Sequence, residues 1–185
     1  KLIKADEPRI LIADSVGVGK TIEAGLIIKE LEARNELENI LIICPKPLVT
    51  ERKWENEMKR FDEEFVPVTG QELRQIISDT DRDGEWPVRY NKTIIPYSIL
   101  DSRVYQGEEG KKGKSYGLFD LDPAPHFDLV IIDEAHHAVS STYMKICAAF
   151  PDAKILGVTA TPCRLSGDAL RKLFGILVLT QPISK

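Results

Sequence analysis

No apolar run in these 185 residues approaches the ~20 needed to cross a bilayer, and the N-terminus lacks the order of a signal peptide. Cysteine is scarce. Cys44, Cys147 and Cys163 are too few and too scattered for a disulfide framework or a zinc ribbon, so a reducing, cytosolic setting is expected. Positive charge is in deficit, with 25 Lys and Arg against 29 Asp and Glu and a net charge of −4. No global field therefore draws in nucleic acid or an anionic membrane, and any nucleic-acid contact must come from a local patch. Aromatics are sparse at 7%, which argues against a base-stacking platform. There is no initiator methionine, and the first apolar run arrives within ten residues. The expectation is a single domain excised from a longer protein. At 43% hydrophobic residues, it has enough apolar side chains for one core.

Short apolar runs recur with helical patterns between them. Arg9–Asp14, Asn39–Pro45, Lys92–Ser98, Phe127–Glu134 and Lys154–Pro162 read as strands, with a weaker one at Phe65–Gly70. Their apolar residues are nearly continuous, as in parallel strands covered on both faces. Helices are expected from Lys20 to about Ala33, with Ile22, Leu26 and Leu31 on its apolar face, and from Leu48 to Phe61, with Trp54, Met58 and Phe61 inward. Gln71–Ser78 and Ser141–Phe150 are further candidates. The alternation predicts an α/β fold, a mostly parallel sheet with helices on both faces. Gln106–Gly117, rich in glycine and charge, reads as a flexible surface loop.

Two stretches carry chemistry. Between the first strand and the first helix lies DSVGVGKT, Asp14 to Thr21. Gly17, Val18 and Gly19 can curl consecutive backbone N–H groups around an anion, and the helix N-terminus adds its positive end. Lys20 would reach the β and γ phosphates of a nucleotide, and the Thr21 hydroxyl would hold Mg²⁺. The general pattern G-x-x-x-x-G-K-[ST] wants glycine at Asp14, so the match is incomplete. The second stretch is LVIIDEAHH, Leu129 to His137. It sets Asp133 and Glu134 at the carboxyl end of an apolar strand, the edge where ligands bind in such sheets. One of these carboxylates can hold Mg²⁺, with Asp133 the candidate ligand, and its neighbour can orient and deprotonate the water that attacks the γ phosphate. His136 and His137 do not form H-E-x-x-H, so zinc is disfavoured. His136 is expected to hydrogen-bond within the site.

In order, these motifs resemble those of the first RecA-like lobe of superfamily 2 helicases and translocases. ADSVGVGKT is similar to motif I of the Swi/Snf-type ATPases, where aspartate is common at the position of Asp14. DEAH matches motif II, and Thr159–Ala160–Thr161 matches motif III, which couples the nucleotide site to the nucleic-acid face. Leu41–Phe61 resembles motif Ia and the helix after it, with Trp54 where that family often has tryptophan. Ile94–Leu100 sits where the family has a short DNA-facing segment. From Ala138 onward the chain looks more like the motors of restriction enzymes and repair helicases.

The resemblance implies a RecA-like P-loop NTPase domain using ATP and Mg²⁺. It implies a lobe that tracks double-stranded DNA through backbone contacts, with Lys46 and Arg164 as candidate phosphate ligands. Either is equally open to being a plain surface cation. It also implies that an adenine-reading glutamine motif precedes residue 1 and that a second lobe with an arginine finger follows Lys185. Without that arginine, turnover and DNA binding by this piece alone should be weak. The alternatives are a strand-separating motor of the restriction or repair type, and an interaction module that holds ATP without hydrolysing it. Glu134 argues against the latter, and a small-molecule kinase has no use for DEAH or TAT.

Overall fold

The computed structural model describes residues 9–13, 19–97, 100, 104–106, 114–116, 118–121, 124–135, 141–160, 174 and 176–179. Strands β1 (Arg9–Ala13), β2 (Ile40–Cys44), β3 (Val66–Pro67) and β4 (Lys92–Pro96) come first. An antiparallel pair follows, β5 (Val104–Gln106) with β6 (Lys114–Tyr116), and then β7 (Leu129–Asp133), β8 (Lys154–Thr159) and β9 (Ile176–Leu179). All but β5 and β6 join one parallel sheet of seven strands in the order β3-β4-β2-β7-β8-β1-β9.

Alternation along the strands sorts their side chains into two cores, one on each face. Ile10, Ile12, Ile40, Ile42, Leu129, Ile131 and Leu156 meet α1 (Lys20–Glu32) and α3 (Lys53–Met58) through Ala24, Ile28, Leu31, Trp54 and Met58. Leu11, Leu41, Ile43, Ile95, Val130, Ile132 and Ile155 meet α4 (Gly70–Asp83) and α5 (Ser141–Ala149) on the other face, through Leu73, Ile76, Ile77, Ile146 and Cys147. Both faces are covered, so near-continuous apolar runs are what these strands require.

Several details depart from expectation. The helix expected over Leu48–Phe61 is broken. A five-residue α2 (Lys46–Thr50) ends before Arg52, which sits at φ 54°. After α3 the chain tightens into a 3₁₀ turn at Lys59–Phe61. A left-handed non-glycine residue cannot continue an α-helix, so Arg52 re-aims α3. Trp54 and Met58 are buried as expected, and Phe61 packs against the same core. The buried face of α1 is Ala24, Gly25, Ile28 and Leu31, whereas Ile22 and Leu26 are exposed. The helix begun at Gln71 runs on to Asp83, started by a capping box in which Thr69 and Glu72 satisfy each other's amides. Gln106 and Lys114–Tyr116, within the expected surface loop, lie in strands; residues 107–113 and Gly117 fall outside the described residues. β9 was not expected at all.

Candidate nucleotide site

Chain direction and strand order build the site. β8 lies between β1 and β7, with Ala13 paired to Thr159 and Asp133 to Val158. The carboxyl ends of all three strands are thus level, and those of β1 and β7 are two strand spacings apart, about 10 Å. From the β1 end the chain enters α1, whose N-cap is Gly19 at φ 95°. Only glycine takes that conformation cheaply, and it leaves the first turn without a capping side chain. Lys20 and Thr21 follow in that turn, both half-buried.

Asp133 ends β7. Alternation puts it on the same face as Leu129 and Ile131, the one covered by α1 and α3. There Trp54 of α3 donates its indole N–H to Asp133 Oδ2 at 2.8 Å. The amide of Glu134 donates to Oδ1 at 2.8 Å, and the Tyr97 hydroxyl donates to the Asp133 carbonyl at 2.8 Å. Glu134 itself turns at φ 52°, a left-handed conformation of the kind that collects at functional sites.

Burial pushes the Asp133 carboxyl above the ordinary aspartate range; the Trp54 and Glu134 donors pull the other way, and the charge of Glu134 adds to the rise. Burial, with the charge of Asp133, pushes the neighbouring Cys44 thiol up to about 12. The Tyr97 hydroxyl is raised for the same two reasons. Cys44 is therefore a neutral thiol and Tyr97 a neutral donor at physiological pH.

Thr159, fully buried, closes β8 between the two halves, and Ala160 follows it. Lys46 opens α2 in an exposed position. Asp14, Gly17, Val18, His136, Thr161 and Arg164 lie outside the described residues. Reading the sequence alone missed Trp54 and Tyr97 as partners of Asp133. The available signal was chemical: a buried indole N–H or phenol must find an acceptor.

The donor set suits a magnesium nucleotide. A glycine-capped helix N-terminus with Lys20 favours anionic phosphate. A threonine hydroxyl and a carboxylate held by hydrogen bonds are hard oxygen ligands of the kind Mg²⁺ prefers.

A family described as "Type III restriction enzyme, res subunit" matches residues 1–164. The chain belongs to this family. Among sequences it is similar to RNA polymerase-associated protein RapA of Histophilus somni, 32% identical over 85% of this chain and 16% of that protein. RapA of Proteus mirabilis is 30% identical over 90% of this chain. The chain thus spans about one sixth of these relatives, 16% of each. Its fold matches the Sulfolobus solfataricus SWI2/SNF2 ATPase core in complex with dsDNA, with a TM-score of 0.60 and 20% identity over 90% of this chain and 30% of that one. It also matches the Pyrococcus furiosus Hef helicase domain, with a TM-score of 0.66 and 20% identity over 98% of this chain and 36% of that one. The fold is the first RecA-like lobe of superfamily 2 helicases.

Proposed function

We propose that this chain is the ATP-binding lobe of a Swi/Snf-type motor that couples ATP hydrolysis to movement along double-stranded DNA. The observation that carries the reading is Asp133 at the end of β7, with Glu134 next to it, level with the β1 end and one strand removed from it, α1 with Gly19, Lys20 and Thr21 at its start being the next helix after β1 in the chain. Asp14, Gly17, Val18 and Gly19 would wrap the phosphates, with Lys20 neutralising their charge. Thr21 and Asp133 would hold Mg²⁺, which when bound screens the charge that accumulates on the phosphates during transfer. Glu134 would align a water molecule and take its proton as oxygen attacks the γ phosphorus and ADP departs. His136 would hydrogen-bond within this site.

Thr159, Ala160 and Thr161 would relay the state of the site to DNA, whose phosphates would meet Lys46 and Arg164. The similarity to a SWI2/SNF2 core solved with duplex DNA supports this choice of polymer. A second RecA-like lobe would complete the site by closure and supply the missing arginine. A cytosolic setting fits the reduced thiols Cys44 and Cys147. Among the described residues no helix is long and apolar enough to cross a membrane.

A strand-separating motor is the second reading, favoured by the restriction-enzyme family and the likeness to Hef. Duplex-stimulated ATP hydrolysis by the protein carrying this lobe tests the first. Glu134→Gln should retain nucleotide binding and lose hydrolysis by about 10²–10⁴-fold, the worth of a positioned base. Hydrolysis unchanged in Glu134→Gln would remove the proposed base. Strand release without duplex translocation would favour the second reading.

A further inference from the structure

We propose that Trp54 is a positioning residue for the cation site: its indole N–H fixes the Asp133 carboxylate in the orientation from which it takes the divalent cation of a bound nucleotide. This rests on the nucleotide-site reading above and names a part of that site which neither sequence motif contains.

Trp54 is 1% exposed, and an indole N–H can only donate. Its acceptor is Asp133 Oδ2 at 2.8 Å, 79 positions away in the chain. The other tryptophan shows what an ordinary structural indole does here. Trp86 donates to the Tyr90 backbone carbonyl at 3.0 Å, on the opposite face of the sheet, packed edge-on to Phe127. A backbone carbonyl satisfies a buried indole without placing a charge beside it. A carboxylate in that role costs desolvation, so its presence asks for a reason.

The other donors supply one. Oδ1 takes the Glu134 amide and the Asp133 carbonyl takes the Tyr97 hydroxyl, each at 2.8 Å. Three groups, one from α3, one from the end of β4 and one from the next residue, fix both carboxylate oxygens and the peptide behind them. Each oxygen has two acceptor directions, so one on each is left for a cation or its water. Partners of this kind orient metal ligands, and their loss typically lowers metal affinity about 10–100-fold.

The two indoles make the test direct. In ¹⁵N-labelled protein, Trp86→Phe assigns the two indole N–H resonances. Mg²⁺–ADP is then titrated into the original protein, with binding followed in parallel by calorimetry. The Trp54 resonance should move with saturation while that of Trp86 stays within a linewidth. Trp54→Phe, which keeps an aromatic ring and loses the donor, should need about 10–100 times more Mg²⁺ for half-maximal ADP binding. Its affinity for ADP without Mg²⁺ should be unchanged, a split that lost packing alone does not produce. If Mg²⁺–ADP binds and the Trp54 resonance does not move, the inference is overturned, and this measurement needs no variant at Trp54. An unchanged Mg²⁺ requirement in a folded Trp54→Phe overturns it equally. If calorimetry shows no Mg²⁺–ADP binding at millimolar concentration, the nucleotide-site reading fails first and carries the inference with it.

Discussion

Glu63, only 3% exposed, is wedged at the amino edge of the sheet between Lys29 and Lys92, and Lys92 also reaches Glu32 at 2.6 Å. Burial pushes its carboxyl up, but hydrogen bonds from Lys29 and Lys92 outweigh this and hold it below the ordinary glutamate value of 4.5. A depressed folded-state pKa stabilises the fold above the unfolded value, and that stability is lost as pH falls through the folded value. Glu63→Gln should therefore destabilise by about 1–3 kcal/mol at pH 7, since it leaves two cations short of an acceptor. In urea unfolding the deficit should shrink by pH 3; a gap independent of pH would mean that the charge contributes nothing. Trp54, by contrast, shows why single residues are hard to read from sequence. Asp133 and Glu134 announced themselves by two acids closing an apolar run. The indole that holds Asp133 arrives from 79 positions earlier, and only the packing of α3 under β7 brings it there.

Whole elements were more legible than single contacts, and the reason is periodicity. Long-buried parallel strands need continuous apolar runs, so β1, β2, β4, β7 and β8 fall within a few residues of expectation. Where packing overrides pattern, expectation fails. The hydrophobic spacing of α1 pointed to Ile22, Leu26 and Leu31, yet Ile22 and Leu26 stay exposed while Ala24 and Gly25 are buried beside Ile28 and Leu31, with the Phe61 ring close against Gly25. A Cβ on Gly25 would fall 2.3 Å from that ring. Gly25→Ala should accordingly lower stability by about 1–3 kcal/mol through overpacking, despite the better helix propensity of alanine. Adding Phe61→Leu should recover part of the loss in thermal unfolding. A stabilised single variant would show that the ring moves aside freely. The break at Arg52 was hidden for a related reason: KWENEM is a good helix sequence and carries no glycine or proline to mark where the turn before it goes left-handed.

Across the whole molecule, the strand order turns two separate motifs into one site. β1 and β7 are far apart in sequence, and inserting β8 between them sets the Gly19–Lys20–Thr21 helix start and the Asp133–Glu134 pair on one edge. The alternating order of strands and helices predicted that edge, and the motifs predicted what would stand on it. Neither could show that α3 and Tyr97 also reach it. With a net charge of −4, the chain has no overall positive field to draw in phosphates, so anion binding is expected to come from local geometry. Calorimetric titration of the chain with Mg²⁺–ADP and Mg²⁺–ATP, beside Lys20→Ala, tests that claim most directly. Saturable binding by the original and a loss of at least about tenfold in the variant, in keeping with a charge-assisted bond, is the expected result. Binding that is equal in both would contradict a phosphate site at the start of α1.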